Sequence, residues 1–372
     1  MRRLLLLLLL VPALTFAAVP PPPAVAAKTW LLYDLSSEQI IASANANERV
    51  EPASLTKMMT AYLTFSALKQ KTLALDGVVP VSERAWKVAG SRMFIEPKKP
   101  VRVEELLRGM IVQSGNDACI ALAEAIAGSE DAFAQMMNRE AQRLGMKNTN
   151  FTNASGLPDP RHYSTAYDLA LLAAAIIRDF PEYYPLYALR EYRYNDITQQ
   201  NRNRLLWLDP NVDGMKTGYT ESAGFCLIAS AKRGTRRLLS VVLGASSDSA
   251  RAQESQKLLN YGFQFYDSIR LYAKSQPVSS LEVLKGGASR VNAGFLYDFY
   301  VSVPRGLDDQ VKAALISMQP LVAPIAVGQK VGTIKVTLQS KLLGEYPVVA
   351  LNNVPLAGLF WRTWDGMRLW FK

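Results

Sequence analysis

Three short polar motifs, far apart along this 372-residue chain, constrain its fold more than any other feature. They are Ser54-Leu-Thr-Lys57, Ser114-Gly-Asn116 and Lys216-Thr-Gly218, with 60 and 102 residues between their first members. Each is weak alone: a Ser-x-x-Lys is expected about once by chance in a chain of this length, and Ser66-Ala-Leu-Lys69 is a second. Their order and local settings predict that the fold brings all three to one cleft.

The first residues indicate export. Two arginines precede an apolar run over residues 4–18, and small residues follow up to Ala27. This is the layout of a secretory signal peptide. The run is short for a membrane span, which needs about 20 apolar residues, and Pro20–Pro23 would end a helix. We predict a signal peptide over residues 1–27, with cleavage at Ala18 and an uncleaved anchor as alternatives.

Composition excludes several function classes. Removing residues 1–27 takes away two arginines and no acidic residue, so the net charge falls from +10 to +8. No Lys/Arg-dense stretch carries interleaved aromatics, which argues against nucleic acid as a partner, and the mild positive charge suits a negatively charged envelope surface. No metal-ligand cluster or phosphate loop is present, so no metal or other cofactor is expected. Cys119 and Cys226 lie in apolar settings typical of buried free thiols.

Periodicity predicts an α+β domain over residues 28–266. Strand-like stretches open it near 30–35 and 40–43, and two β runs joined by a turn at Arg233-Gly-Thr close it, followed by a helix over 249–266. Between them lie helical patterns over 54–68, 103–112, 117–127, 132–144 and 165–177. The domain thus has strands at both ends and helices between them, which indicates an antiparallel sheet with helices packed on it.

The sequence pattern changes after residue 266. Alternating segments broken by Gly and Pro predict a small all-β domain over 267–354, interpreted as a spacer or docking module. Residues 355–372 group their apolar members on one side of a helix, at positions 356, 359, 360, 364, 367, 370 and 371, and the basic residues lie elsewhere on it. Such helices lie in the membrane interface. We predict an amphipathic anchor here, with packing on the β domain as the alternative.

The first motif has the features of an activated nucleophile. Ser54 follows Pro52 where a helix would begin, and Lys57, three residues later, shares its helix face. A helix N-terminus favours developing negative charge. His162 is the single histidine, so a Ser-His-Asp hydrolase is disfavoured and lysine is the candidate base. Burial and a second cation, Lys216, would lower its pKa. An ordinary helix cap is the alternative for Ser54.

The other two motifs supply complementary chemistry. Ser114 and Asn116 are expected on a tight loop, where the hydroxyl relays protons and the amide holds a carbonyl; a plain turn is the alternative. Lys216 and Thr217 on one strand suit a substrate carboxylate.

Gly218 lets a peptide backbone approach closely. The N–H groups of Ser54 and Tyr219 could form an oxyanion hole, and an exposed strand edge would bind an extended peptide. A surface lysine in a strand turn is the alternative for the third motif.

The chain resembles the low-molecular-mass penicillin-binding proteins of the D-alanyl-D-alanine carboxypeptidase type. The resemblance runs from about residue 29 to 372, is strongest to the branch with a C-terminal β domain and tail anchor, and extends to the segments Glu-Pro-Ala-Ser-Leu-Thr-Lys-Met-Met-Thr, Gln-Ser-Gly-Asn-Asp-Ala-Cys and Val-Asp-Gly-Met-Lys-Thr-Gly. It implies that Ser54 is the acylated nucleophile and Lys57 its base. Ser114 and Asn116 would form the second catalytic element.

The same resemblance implies the ligands and the location. Lys216 and Thr217 would bind the terminal carboxylate of a peptidoglycan stem peptide, assisted by Arg202, and β-lactams would acylate Ser54. The protein would sit on the periplasmic side of the inner membrane, held peripherally by its last helix.

The third motif departs from this branch, which has His where this chain has Tyr219. The N–H is unchanged, but the rates of turnover and of penicilloyl loss become open questions. A class A β-lactamase is disfavoured, because the loop 155–168 has Asp159 and Asp168 but no Glu. We expect a serine D-Ala-D-Ala carboxypeptidase. A DD-endopeptidase, or a penicillin-binding scaffold with negligible turnover, stays open.

Overall fold

The computed structural model of the protein describes residues 20–358. Residues 1–19 of the predicted signal peptide and 359–372 of the predicted terminal helix lie outside the described residues. Within residues 20–358, no helix is both long and apolar enough to cross a membrane.

An antiparallel sheet forms the centre of the first domain, as predicted. Its strand order is β2-β1-β9-β8-β7, so β7 lies at an edge. The strands of this domain, including two short hairpins outside the sheet, are β1 (Thr29–Asp34), β2 (Gln39–Ala44), β3 (Val78–Val79), β4 (Val101–Arg102), β5 (Glu191–Tyr194), β6 (Ile197–Gln200), β7 (Val212–Thr220), β8 (Gly224–Arg233) and β9 (Arg236–Ala245). The first and last strands of this domain's sheet in chain order therefore meet, since β1 pairs with β9.

Helices cover both faces of this sheet. The helices of this domain are α1 (Lys57–Lys69), α2 (Glu83–Lys87), α3 (Val103–Arg108), α4 (Asn116–Ala127), α5 (Glu130–Arg143), α6 (Ala166–Asp179), α7 (Leu205–Leu208) and α8 (Asp248–Phe265). Leu31 packs into the core with α1 and α4 to α6, whereas its neighbour Leu32 packs with α8 on the other face. Successive strand residues point to opposite faces. Because both faces are buried, the sequences of these strands are continuous apolar runs.

Two predicted helices begin or end irregularly. The stretch from Ser54 opens as a 3₁₀ turn over Ala53–Thr56, which we call the nucleophile turn, before α1 begins at Lys57. The helix predicted over 103–112 stops at Arg108 and continues as a π-helical turn over Gly109–Gln113. Such turns are frequent at functional sites. Both irregularities lie beside a predicted motif.

The C-terminal β domain agrees with the prediction of an all-β unit. Its strands are β10 (Tyr266–Tyr272), β11 (Pro277–Leu284), β12 (Arg290–Gly294), β13 (Phe299–Pro304), β14 (Val311–Ser317), β15 (Leu321–Val322), β16 (Lys330–Leu338) and β17 (Lys341–Ala350). They form a two-stranded sheet and a six-stranded sheet around a separate apolar core. The hydroxyl oxygens of Ser37 and Ser302 lie 2.7 Å apart, and Gln39 Oε1 accepts the N–H of Ser302 at 2.6 Å. Polar contacts therefore join the two domains.

Candidate active site

The nucleophile turn brings the first motif together. A 3₁₀ turn stacks residues i and i+3, and Lys57 Nζ lies 3.1 Å from Ser54 Oγ. Lys57 is 1% exposed, and its amine also donates to Asn116 Oδ1 at 2.7 Å and to the carbonyl of Ser155 at 2.6 Å. The backbone of Ala53 has a φ of +48°, a left-handed conformation that functional sites can store as strain.

The burial of Lys57 shifts the pKa of its amine. Desolvation lowers its pKa below the ordinary value, and the positive charge of Arg202 lowers it further, whereas Cys119 and Asp117 act in the opposite direction. A lower pKa increases the neutral fraction of a lysine, and only the neutral amine can accept a proton. The geometry therefore places the Ser54 hydroxyl beside an amine whose pKa is lowered.

The second motif faces the first across the site. Ser114 follows the π-helical turn and has a left-handed backbone, with φ +67° and ψ +35°. Its hydroxyl oxygen accepts from Lys216 Nζ at 3.0 Å. Asn116 begins α4, and its amide donates to the carbonyl of Ala89 at 2.7 Å. Because a backbone carbonyl can only accept, the contact with Ala89 fixes which side of the Asn116 amide is nitrogen and leaves its oxygen toward Lys57.

The third motif lies on the edge strand β7. Lys216 is 3% exposed, and burial, together with the positive charges of Lys57 and Arg202, holds its pKa well below the ordinary value. Its amine also donates to the carbonyl of Thr217 at 3.0 Å. A Cβ on Gly218 would lie 3.2 Å from the Pro52 carbonyl oxygen, so β7 packs closely against the segment that carries the nucleophile.

One cleft joins these groups. It has a volume of about 620 Å³. The predicted site residues that line it are Ser54, Ser114, Asn116, Arg202, Thr217, Gly218 and Tyr219. Lys57 and Lys216 reach it through their hydrogen bonds to the two serines. The structure thus brings together all nine residues singled out from the sequence.

Known proteins are similar to this chain in sequence and in architecture. A family model described as D-alanyl-D-alanine carboxypeptidase matches residues 15–247. The chain belongs to this family. A second model, the penicillin-binding protein 5 C-terminal domain, matches residues 266–356. The expected α+β domain with a β-rich domain, and the expected serine-type carboxypeptidase of peptidoglycan metabolism, are confirmed.

Individual relatives align over most of their length. The D-alanyl-D-alanine carboxypeptidase DacC of Escherichia coli K12 is 43% identical over 356 residues, which cover 94% of this chain and 89% of the relative. Penicillin binding protein 5 from Haemophilus influenzae superposes with a TM-score of 0.85 at 40% identity, covering 90% of this chain and 99% of that structure. Penicillin-binding protein D2 from Listeria monocytogenes, in its ampicillin-bound form, matches 66% of this chain and 100% of that structure at 30% identity and a TM-score of 0.61.

The carboxypeptidase site includes an arginine that no motif indicated. Arg251, on α8, is buried and lines the cleft. Its guanidinium donates to the carbonyl of Gly218 at 3.1 Å and to that of Cys226 at 3.3 Å. Arg251 therefore ties α8 to β7 at the third motif. It could not be found from local sequence, because only the packing of α8 on β8 and β9, next to β7, brings these segments together.

Asp117 supports the second motif. Its carboxylate accepts from the N–H groups of Met93 at 3.0 Å, Phe94 at 2.9 Å and Ala118 at 2.9 Å. It thereby holds the segment before α3 against the start of α4. An acidic residue in the first turn of a helix is a recognisable signal, which the sequence interpretation did not use.

A loop without a predicted role completes the site. Ser155-Gly156 is the kind of dipeptide that is common in turns, yet the Ser155 carbonyl binds Lys57. Asn153 Oδ1 accepts the N–H of Gly156 at 2.7 Å. Gly156 has a φ of +84°, and a Cβ there would lie 1.8 Å from the carbonyl oxygen of Ala53. The loop therefore packs directly against the nucleophile turn.

Proposed function

We propose that Ser54 is the nucleophile of this D-Ala-D-Ala carboxypeptidase and Lys57 its general base. Ser54 Oγ attacks the carbonyl carbon of the peptide bond between the two terminal D-alanines, and Lys57 takes the hydroxyl proton. The terminal D-alanine then leaves with a proton on its amine, and water hydrolyses the acyl-enzyme. The observation that carries the proposal is the 3.1 Å contact between a buried amine and the Ser54 hydroxyl.

The second motif serves the leaving group. Ser114 relays a proton to the departing amine, supported by the hydrogen bond from Lys216. Asn116 lines the cleft and, with its oxygen occupied by Lys57, presents N–H rather than oxygen to a substrate carbonyl. Both roles need the fixed side-chain orientations that these contacts impose.

Substrate binding is assigned to β7 and its neighbours. Thr217, Lys216 and Arg202 attract the terminal carboxylate, since a hydroxyl and two cations converge beside the cleft. The unpaired side of the edge strand β7 pairs with the extended stem peptide. The N–H groups of Ser54 and Tyr219 form the oxyanion hole, which is supported by the close packing of Gly218 against Pro52.

Two product assays test this proposal. Purified protein is expected to release D-alanine from a pentapeptide, and Ser54→Ala should abolish that release because no other group forms the acyl-enzyme. A cross-linked muropeptide assayed alongside distinguishes the DD-endopeptidase alternative. Covalent penicillin binding without D-alanine release would identify the scaffold alternative instead, and Tyr219→His would then test whether the departure at that position is responsible.

The domain boundaries and location are part of the same proposal. We assign residues 28–266 to catalysis, 267–354 to a spacer or docking module, and 355–372 to a peripheral anchor on the periplasmic side of the inner membrane. Cleavage near Ala27 stays the proposal, and Ala18 is the alternative that the contacts of residues 20–27 support. Tyr261 donates to the Pro20 carbonyl at 2.9 Å, and Ala27 packs against the core beside α8. N-terminal sequencing of the exported protein distinguishes Ala18 from Ala27.

Truncation before Leu356 is expected to release the protein from membranes without loss of activity. The removed segment is rich in tryptophan and basic residues, the composition of helices that bind the membrane interface, whereas the cleft lies wholly in the first domain. Membrane sedimentation and D-alanine release, measured on the full and truncated chains, check this. Continued sedimentation of the truncated chain with membranes would contradict the anchor.

A further inference from the structure

His162 is the only histidine of the chain, and it lies buried next to the active site. It is 2% exposed. Its Nε2 lies 2.8 Å from Thr56 Oγ1, and its Nδ1 lies 3.1 Å from the backbone nitrogen of Thr152. Because a backbone N–H can only donate, Nδ1 carries no proton and accepts this bond. Nε2 therefore holds the ring proton and donates it to the Thr56 hydroxyl.

These two bonds join both sides of the Lys57 environment. Thr56 belongs to the nucleophile turn and directly precedes Lys57. Thr152 begins the loop that carries Ser155, whose carbonyl accepts from Lys57 Nζ at 2.6 Å. The same loop is held from α1 by Thr60, whose hydroxyl donates to the carbonyl of Ala154 at 2.6 Å. The His162 imidazole therefore holds this loop beside Lys57, the proposed base.

We propose that His162 is a positioning residue that holds the loop 152–162 against the nucleophile turn. The loop in turn shields the Lys57 amine from water and keeps it within reach of Ser54. The proposal rests on the proposed function, in which Lys57 is the base. Burial is the largest influence that lowers the pKa of Lys57. An opened loop would admit water to the amine and return its pKa toward the ordinary range of lysine.

The protonation state of His162 agrees with this role. Burial lowers its pKa to about 4, with the positive charge of Lys57 acting in the same direction and the negative charge of Asp159 opposing it. Arg161, next in the chain, is exposed. The ring is therefore neutral at working pH. A second ring proton would place a donor against the N–H of Thr152 and break that bond.

Acylation measured against pH tests the proposal. Acylation needs neutral Lys57, so its rate should rise with pH through the pKa of that amine. In full-length His162→Leu we expect the midpoint of this rise, measured as the rate constant for a fluorescent penicillin, to move up by about one pH unit. His162→Asn can keep the acceptor toward Thr152, and His162→Gln can keep the donor toward Thr56, so each should move the midpoint less.

Two threonine variants distinguish a positioning role of His162 from a general effect of altered packing. Thr56→Val removes the hydroxyl that accepts from the ring and should reproduce part of the upward shift. Thr64→Val is the matched control, because Thr64 is buried like Thr56 but lies on α1, where its hydroxyl donates to the carbonyl of Thr60 at 2.7 Å. In this variant the midpoint should stay unchanged.

The outcomes separate the two hypotheses. If the wild-type protein forms no adduct with penicillin, the proposed function itself fails. If it does, but the folded His162 variants and Thr56→Val keep the wild-type midpoint, His162 does not position Lys57. Thermal unfolding identifies the folded variants, and should His162→Leu fail to fold, Thr56→Val and the two amide variants decide.

Discussion

Lys57→Met is expected to slow acylation of Ser54 by about 10²–10⁴-fold, the usual contribution of a general base. Methionine fills a similar volume but cannot accept the proton from the hydroxyl 3.1 Å away. The rate constant for reaction with a fluorescent penicillin measures this directly. A loss smaller than about tenfold would show that another group deprotonates Ser54.

The chain contains a matched control for this variant. Ser66 and Lys69 repeat the Ser-x-x-Lys spacing later on α1, where Lys69 donates to the backbone carbonyl of Asp179 and lies exposed. Lys69→Met should leave acylation unchanged. Lys57→Met also leaves the acceptors on Asn116 and Ser155 without their partner, at a cost of about 1–3 kcal/mol in the free energy of unfolding. Unfolding curves must therefore show that the variant is folded at the assay temperature.

Gly156→Ala is expected to lower the free energy of unfolding by about 3 kcal/mol or more, combining overpacking with an unfavourable backbone conformation. Its Cβ would lie 1.8 Å from the carbonyl oxygen of Ala53, so the loop or the nucleophile turn must move. Since the same loop supplies the Ser155 carbonyl to Lys57, acylation should fall as well. Urea unfolding and the penicillin reaction measure the two effects.

Gly128→Ala separates the collision from the backbone effect. Gly128 has a similar φ, +78°, but a Cβ added there would meet no atom within 4 Å. The variant should show only the cost of an alanine in the left-handed region, about 1 kcal/mol, with unchanged acylation. Equal losses of stability in both variants would mean that the loop does not press on the nucleophile turn as the structure indicates.

Local chemistry makes the motifs of this site recognisable from the sequence. The spacing of Ser54 and Lys57 follows from helical geometry, and the pairing of Gly224–Arg233 with Arg236–Ala245 follows from the turn between them. Ser66 is distinguished from Ser54 by its position late in the helix. Each of these inferences uses neighbours in the chain, where a short pattern reports directly on structure.

Long-range packing explains what was not predicted. Ser155 acts through its carbonyl, which every residue possesses, so its side chain carries no signal. Arg251 reaches the site only because α8 packs on β8 and β9, next to β7 in the sheet. The hairpin β5–β6 is polar and mostly exposed, as in Glu191–Tyr194, and lacks the alternating apolar pattern of a half-buried strand. These features depend on tertiary contacts between segments that are distant in the chain.

The most direct test of this account is mass spectrometry of the purified protein after incubation with penicillin. A covalent adduct is expected on the peptide that contains Ser54, absent in Ser54→Ala and retained in Ser66→Ala. An adduct that persists in Ser54→Ala, or that maps to another residue, would contradict the assignment of the nucleophile.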